Sequence, residues 1–253
     1  MNTPSPNPPS QDMPRRLGNP ERRRSPRKNE KGFVTMNTEP QFPQPRVGPM
    51  PYAHELLILA ESYYLESGAG EIAPDIWYAN GVGMLGPTDR TYVNYEDIFR
   101  INKMKNGGWK NRGCAIYRNL ESAMRDAGMV QKHNMLDHCT IGNCFLRPAY
   151  KGQSLRLSQS DVTHASSFLK AWVERQNVRL LICASSFAYY SVVRYLVLPC
   201  DVVKVVHPAC VWWNRGSGKY GRQKFINTLK TFAKQGGAPD AFVACATPPP
   251  SPG

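Results

Sequence analysis

Four short apolar runs stand out along the chain: Leu56-Leu57-Ile58-Leu59, Cys139 to Phe145, Val178 to Cys183 (VRLLIC) and Val202 to Val206 (VVKVV). Each is of strand length, and runs this apolar predict strands buried on both faces. Between them the pattern switches to a helical period. Asn119 to Met129 places Leu120, Met124 and Ala127 on one face, and Ser160 reads as the cap of a helix through Gln176 with Ala165, Phe168, Leu169, Trp172 and Val173 facing inward. Ser186 to Val197 and Lys219 to Lys234 supply two more, the last carrying Phe225, Ile226, Leu229 and Phe232. The alternation predicts an α/β fold: a three-layer α/β/α domain around a mostly parallel four-stranded sheet, spanning residues 51–238. In open sheets of this kind the functional crevice lies beyond the carboxyl ends of the strands.

Composition changes the picture at the two ends. Residues 1–50 hold 11 of the 22 prolines and 9 basic residues against 4 acidic ones, including Arg22, Arg23, Arg24, Arg27 and Lys28. Such a segment buries too little apolar surface to offset its ordering entropy, so a disordered basic tail is expected over 1–50, and a second loose tail over 239–253. The 253 residues carry 32 Lys+Arg against 19 Asp+Glu, a net charge of +13. That balance favours a polyanionic partner, with nucleic acid first and an anionic membrane surface second. No apolar run reaches the length of a membrane span, and the seven cysteines form no CxxC pair, which points to a reducing, cytoplasmic setting without a disulfide framework.

The predicted strand ends are chemically loaded. The first runs into Ala60-Glu61-Ser62-Tyr63-Tyr64, the second into Gly142-Asn143-Cys144-Phe145-Leu146-Arg147, and the fourth into His207-Pro208-Ala209-Cys210-Val211-Trp212-Trp213. A carboxylate, a carboxamide and an imidazole are thereby expected at one crevice, among aromatic rings. Each also has a plainer reading, as a helix-start acid, a turn residue or a loop-holding imidazole.

With LLILAESYY, GNCFLRPAY and VVHPACVWWNR in this order, followed by RQKF and an amphipathic helix, residues 52–234 resemble the uracil-DNA glycosylase superfamily. The resemblance implies a catalytic set of Glu61, Asn143 and His207: Asn143 bonds the edge of an extruded base, His207 donates to the base oxygen as the glycosidic bond breaks, and Glu61 orients water or balances the sugar cation. It further implies a base-binding group drawn from Ser62, Tyr63, Tyr64, Trp77 and Phe145. Ser62 departs from the pattern, standing where other branches carry Asp or Asn, and Asp75 and Asp89 are reserve acids. Branches with an iron–sulfur cluster use an early cysteine pair; with no Cys before Cys114, no cluster, metal or other cofactor is expected.

Two acid-free basic tracts, Ile98 to Leu120 and Val202 to Pro239, predict phosphate contacts flanking the cleft. The expected DNA-binding residues are Arg147, Trp212, Trp213, Arg215, Lys219, Arg222 and Lys224, with an aromatic or arginine wedge near Gly216 and Gly218. The long aromatic stretch Ala69 to Asn111, with Trp77, Tyr78, Tyr92, Tyr95 and Trp109, suits a pocket wall for a bulky base. Uracil and a hypermodified cytosine, such as glucosylated hydroxymethylcytosine of phage DNA, are both candidate substrates. The expected enzyme is a monomeric, monofunctional DNA glycosylase with DNA as partner and no membrane association. The alternatives are a noncatalytic DNA-binding module and an α/β hydrolase using Ser185 or Ser186, although no GxSxG elbow is present.

Overall fold

The computed structural model describes residues 39–66, 71–106, 108–110, 114–129, 135–150, 153–215 and 221–236. Seven strands occur among them: β1 (Arg46–Val47), β2 (Leu56–Ala60), β3 (Tyr64–Leu65), β4 (Thr140–Asn143), β5 (Ala149–Tyr150), β6 (Leu180–Cys183) and β7 (Asp201–Lys204). The helices are α1 (Pro74–Asn80), α2 (Pro87–Tyr92), α3 (Tyr95–Asn102), α4 (Ala115–Asp126), α5 (Gln159–Gln176), α6 (Ser186–Ser191) and α7 (Arg222–Lys234). The main sheet runs β1-β4-β2-β6-β7, with β4, β2, β6 and β7 parallel and β1 antiparallel on the outer edge of β4. The four expected strands are all present, the first one residue longer, the second and third shorter and the fourth shifted toward the N-terminus, and a fifth is added. β3 and β5 pair in a separate two-stranded ribbon.

Alternation along the strands divides the core. Leu56 and Ile58 of β2 and Leu180 and Ile182 of β6 pack with the α4 and α7 side, among Leu120, Met124, Phe225 and Leu229. Leu57, Leu59, Leu181 and Cys183 point the other way, into Ala165, Leu169, Trp172 and Val173 of α5 and Ala188 of α6. Helices thus cover both faces, as successive side chains on a strand demand when every position is apolar.

The tail boundary is corrected. Residues 39–50, which composition assigns to a disordered segment, belong to the folded body. Phe42 sits among Trp77, Tyr78 and His164, and Arg46 reaches Glu96 at 2.8 Å and Asp137 at 2.7 Å. Gly142 makes room for this segment, since a Cβ there would lie 3.1 Å from Pro45. Long-range packing supplies the order that local composition withholds. The rest of that tail, 1–38, and the C-terminal tail, 239–253, lie outside the described residues.

The start of α5 is also shifted. Ser158, not Ser160, is its cap: the Ser158 hydroxyl accepts from the Asp161 N–H, and the Asp161 carboxylate accepts from the Ser158 N–H at 2.9 Å. This reciprocal box needs an acid three residues after the cap, which Ser158 has and Ser160 lacks. No described helix is long and apolar enough to cross a membrane.

Candidate functional site

Strand order β4-β2-β6-β7 has its topological switch between β2 and β6, because the chain leaves β2 toward β4 and leaves β6 toward β7. Ligand crevices in open α/β sheets form at such points, beyond the strand carboxyl ends. A cavity of about 810 Å³ lies here, lined by Ala60 to Tyr64, Asn143 and His207 on the sheet side. Tyr92, Ile98, Ile101 and Asn102 of α2 and α3, with Cys114 to Tyr117 at the start of α4, make the opposite wall.

Three of the expected residues meet in this cavity from three strand ends. Glu61, just past β2, accepts a hydrogen bond from the Ser185 hydroxyl at 3.0 Å and one from the Tyr64 hydroxyl at 3.4 Å. Ser185 follows β6, so this bond spans the switch point. Its oxygen also caps α6 by accepting from the Ala188 N–H at 3.1 Å. Ser185 is 2% exposed and is not among the residues lining the cavity, which argues against the nucleophilic serine of the hydrolase alternative. Asn143 ends β4 in register with Ala60, and Tyr63, whose hydroxyl faces it, is buried beside it.

His207, three residues past β7, accepts at Nδ1 from the Ala209 N–H at 3.3 Å. An imidazole that accepts at Nδ1 carries its proton on Nε2. Burial lowers its pKa below the ordinary histidine value, which favours this neutral form. The lining carries buried phenols that also stay neutral: burial raises the pKa of Tyr63 and Tyr117, and of Tyr95 packed behind them. The Cys114 thiol is likewise pushed up by burial. Ser62 is 5% exposed, and its hydroxyl meets no hydrogen-bond partner among the described residues.

Several expected site residues lie elsewhere. Trp77 is fully buried in the core on the α4 side and does not line the cavity. Phe145 lies in the opposite core beside Phe187, because the strand's alternation breaks after β4: Ile141 faces the α4 side, whereas Cys144 and Phe145 both face the α5 side. Trp109 is core too, with its indole N–H on Glu121. Asp75 and Asp89 are not among the lining residues.

Arg147 is not a phosphate contact. It is wholly buried, bonding Asp161 through Nε at 2.8 Å and Nη2 at 2.7 Å, Glu71 at 2.8 Å, and the Ile72 and Arg156 carbonyls. Trp213 is buried against Phe225 and cannot act as a wedge. Arg222 is tied to Asp126, docking α7 on α4, and Lys224 lies in a groove with Asp201 and Val203 at the β7 edge. Trp212 does stand out, 55% exposed with the Arg215 guanidinium 3.9 Å from its ring centre. Lys219 and the glycines at 216 and 218 lie outside the described residues.

The α2 and α3 part of the wall falls within Ala69 to Asn111, the stretch expected to supply one, through Tyr92, Ile98, Ile101 and Asn102 in place of Trp77 and Trp109; the start of α4 and the partnership of Ser185 with Glu61 were missed by sequence reasoning. The cap pattern Ser185 before a helix was the available signal for the latter. No protein-family model matches the chain, and no curated protein matches it.

Proposed function

We propose that the chain is a DNA glycosylase of the uracil-DNA glycosylase type, which extrudes a base from DNA and hydrolyses its N-glycosidic bond. The observation that carries this reading is that Glu61, Asn143 and His207, from three separate strand ends, line one cavity large enough for a flipped nucleoside. In this reading the Asn143 carboxamide bonds the edge of the base. The neutral His207 donates from Nε2 toward the base oxygen, where negative charge collects as the C1′–N bond breaks; a preoriented donor of this kind is worth about 10²–10³ in rate. Glu61 accepts a proton of the attacking water or steadies the sugar cation, held by Ser185 and Tyr64. Water supplies the hydroxyl to C1′ and its proton to the departing base, leaving an abasic site.

Uracil-type and hypermodified cytosine bases are both candidates for this cavity. Among the described residues no lysine lines it, in keeping with a monofunctional enzyme without a Schiff-base step. One observation favours a second reading: Ser62 replaces the carboxylate or amide of the resembled pattern, as expected of a noncatalytic DNA-binding module.

Base release measured by mass spectrometry separates the two, on DNAs carrying uracil, hydroxymethylcytosine or its glucosylated form, with Glu61→Ala, Asn143→Ala and His207→Ala alongside. Release of one base, lost in all three variants, supports the glycosylase. Salt-sensitive DNA binding with no release from any substrate supports the module.

A further inference from the structure

The sheet end that carries the cavity continues into a second surface made of different residues. α6 and the 3-10 turn after it (Val193–Tyr195) leave Phe187 39%, Tyr190 50% and Tyr195 65% exposed. Two cations are interleaved with the tyrosines. The Arg194 guanidinium lies 5.4 Å from the Tyr190 ring centre and 4.5 Å from that of Tyr195. The Lys204 ammonium lies 4.5 Å from Tyr190 and 5.8 Å from Tyr189, and donates to the Tyr190 hydroxyl at 2.9 Å. Among the described residues neither cation pairs with a carboxylate. The charge is therefore held by aromatic rings and left available to an anion from solvent.

The position of this ladder is informative. It begins on the helix whose cap, Ser185, bonds Glu61, and it ends at Lys204, the last residue of β7 and three before His207. It therefore lies along the same edge as the cavity, without sharing the cavity's lining residues. Exposed rings alternating with unpaired cations match one polymer especially well: a strand whose bases are free to stack and whose phosphates recur between them. In a duplex the bases are already stacked on each other and present only edges and backbone.

We propose that the α6 face, through Tyr190, Tyr195, Arg194 and Lys204, binds single-stranded DNA next to the crevice and sets a preference for single-stranded over duplex substrate. The proposal goes beyond the catalytic reading and takes from it only that the ligand is DNA. The rings stack on unpaired bases, and the two cations neutralise phosphates. A strand seated here would hand its neighbouring nucleotide to the cavity without first breaking a base pair.

The test is fluorescence anisotropy of the full chain with a labelled oligothymidylate and with a duplex of equal length, over a salt series. Tyr190→Ala and Tyr195→Ala are each expected to weaken oligothymidylate binding on the order of tenfold, and Tyr190→Phe, which keeps the ring, to retain it. Arg194→Gln with Lys204→Gln should flatten the salt slope by roughly 0.7 per cation removed. Tyr190, Arg194 and Tyr195 are exposed and Lys204 is half-buried, and an unchanged melting temperature checks that each variant folds. Oligothymidylate binding that is indifferent to both alanine variants overturns the proposal, whether or not the protein releases a base. Duplex bound as tightly as single strand, or ring-dependent binding to phosphatidylserine vesicles in place of DNA, overturns it as well. Ring-dependent single-strand binding without base release supports it and counts against the catalytic reading alone.

Discussion

Replacing Arg147 by Met tests whether this arginine, expected from the sequence to contact DNA, serves DNA or the fold. The guanidinium is fully buried and all five of its N–H groups are used, two on Asp161 and one each on Glu71, Ile72 and Arg156. Asp161 in turn accepts from Tyr78 at 3.0 Å and from both the N–H and the hydroxyl of Ser158. Methionine fills much of the volume but leaves the Asp161 carboxylate buried without its counter-ion, so Arg147→Met is expected to cost about 3–5 kcal/mol at neutral pH. Burial alone would raise the Asp161 pKa, but the Arg147 and Ser158 hydrogen bonds outweigh it and hold the carboxyl below its ordinary value. The folded protein therefore binds this proton less readily than the unfolded chain. The pair's contribution is present above a pH of about 4 and fades as pH falls through the lowered folded value. Urea unfolding at neutral pH and at about pH 2–3, below the ordinary carboxylate value, on Arg147→Met, Asp161→Asn and the double variant, reads these quantities. The double variant should lose at least about 1 kcal/mol less than the sum of the singles. A loss below about 1 kcal/mol for Arg147→Met, together with a DNA-binding salt slope that falls by about one, would return Arg147 to the role of a phosphate contact.

Trp77→Ala removes a ring with no exposed surface and should cost about 3–5 kcal/mol, lowering thermal stability and depressing activity on every substrate equally; a selective loss on a bulky base would place it back in the pocket wall. Ser185→Ala deletes both the α6 cap and the bond to Glu61. It is expected to lose about 1 kcal/mol in urea unfolding and to retain reduced base release, whereas complete loss with normal stability would revive a nucleophilic serine. The folded-state pKa of His207 is lowered by burial, so the unfolded chain binds its proton first. Stability should then decline as pH drops below about 6.5, and the decline should be shallower in His207→Asn, measured by thermal melting across pH 5 to 8.

What the sequence makes legible here is what repeats locally. β2, β4, β6 and β7 are each apolar enough at successive positions to announce a strand covered on both sides, and once they are ordered the strand-end rule leads to Glu61, Asn143 and His207. Side chains whose meaning depends on distant partners are read less well. Arg147 looks like surface charge because Asp161 and Glu71 are 14 and 76 positions away. Trp77, Phe145 and Trp213 look like stacking platforms because an aromatic residue carries the same letter in a core as in a pocket. The segment around Arg46 looks disordered because its order comes from Glu96, Asp137 and the space above Gly142, none of which a composition window contains. The wall is read in part: the aromatic stretch Ala69 to Asn111 points to it, but which of its side chains face the cavity is decided by packing between helices, so Tyr92 lines it while Trp77, Tyr95 and Trp109 do not, and Cys114 to Tyr117 at the start of α4 carry no motif of their own.

The lining of the cavity and the body as a whole differ in the sign of their charge. Among the described residues, those lining the cavity include two acids, Glu61 and Glu66, and no lysine or arginine, while His207 and the buried phenols are held neutral. The body around it carries an excess of basic side chains, among them Arg215 on Trp212 and the pair on α6. A polyanion approaching this surface meets attraction outside and repulsion within. On the proposed glycosylase reading, such a field would divide a nucleotide at its sugar, disfavouring entry of the phosphate and leaving the uncharged part of the molecule to be admitted.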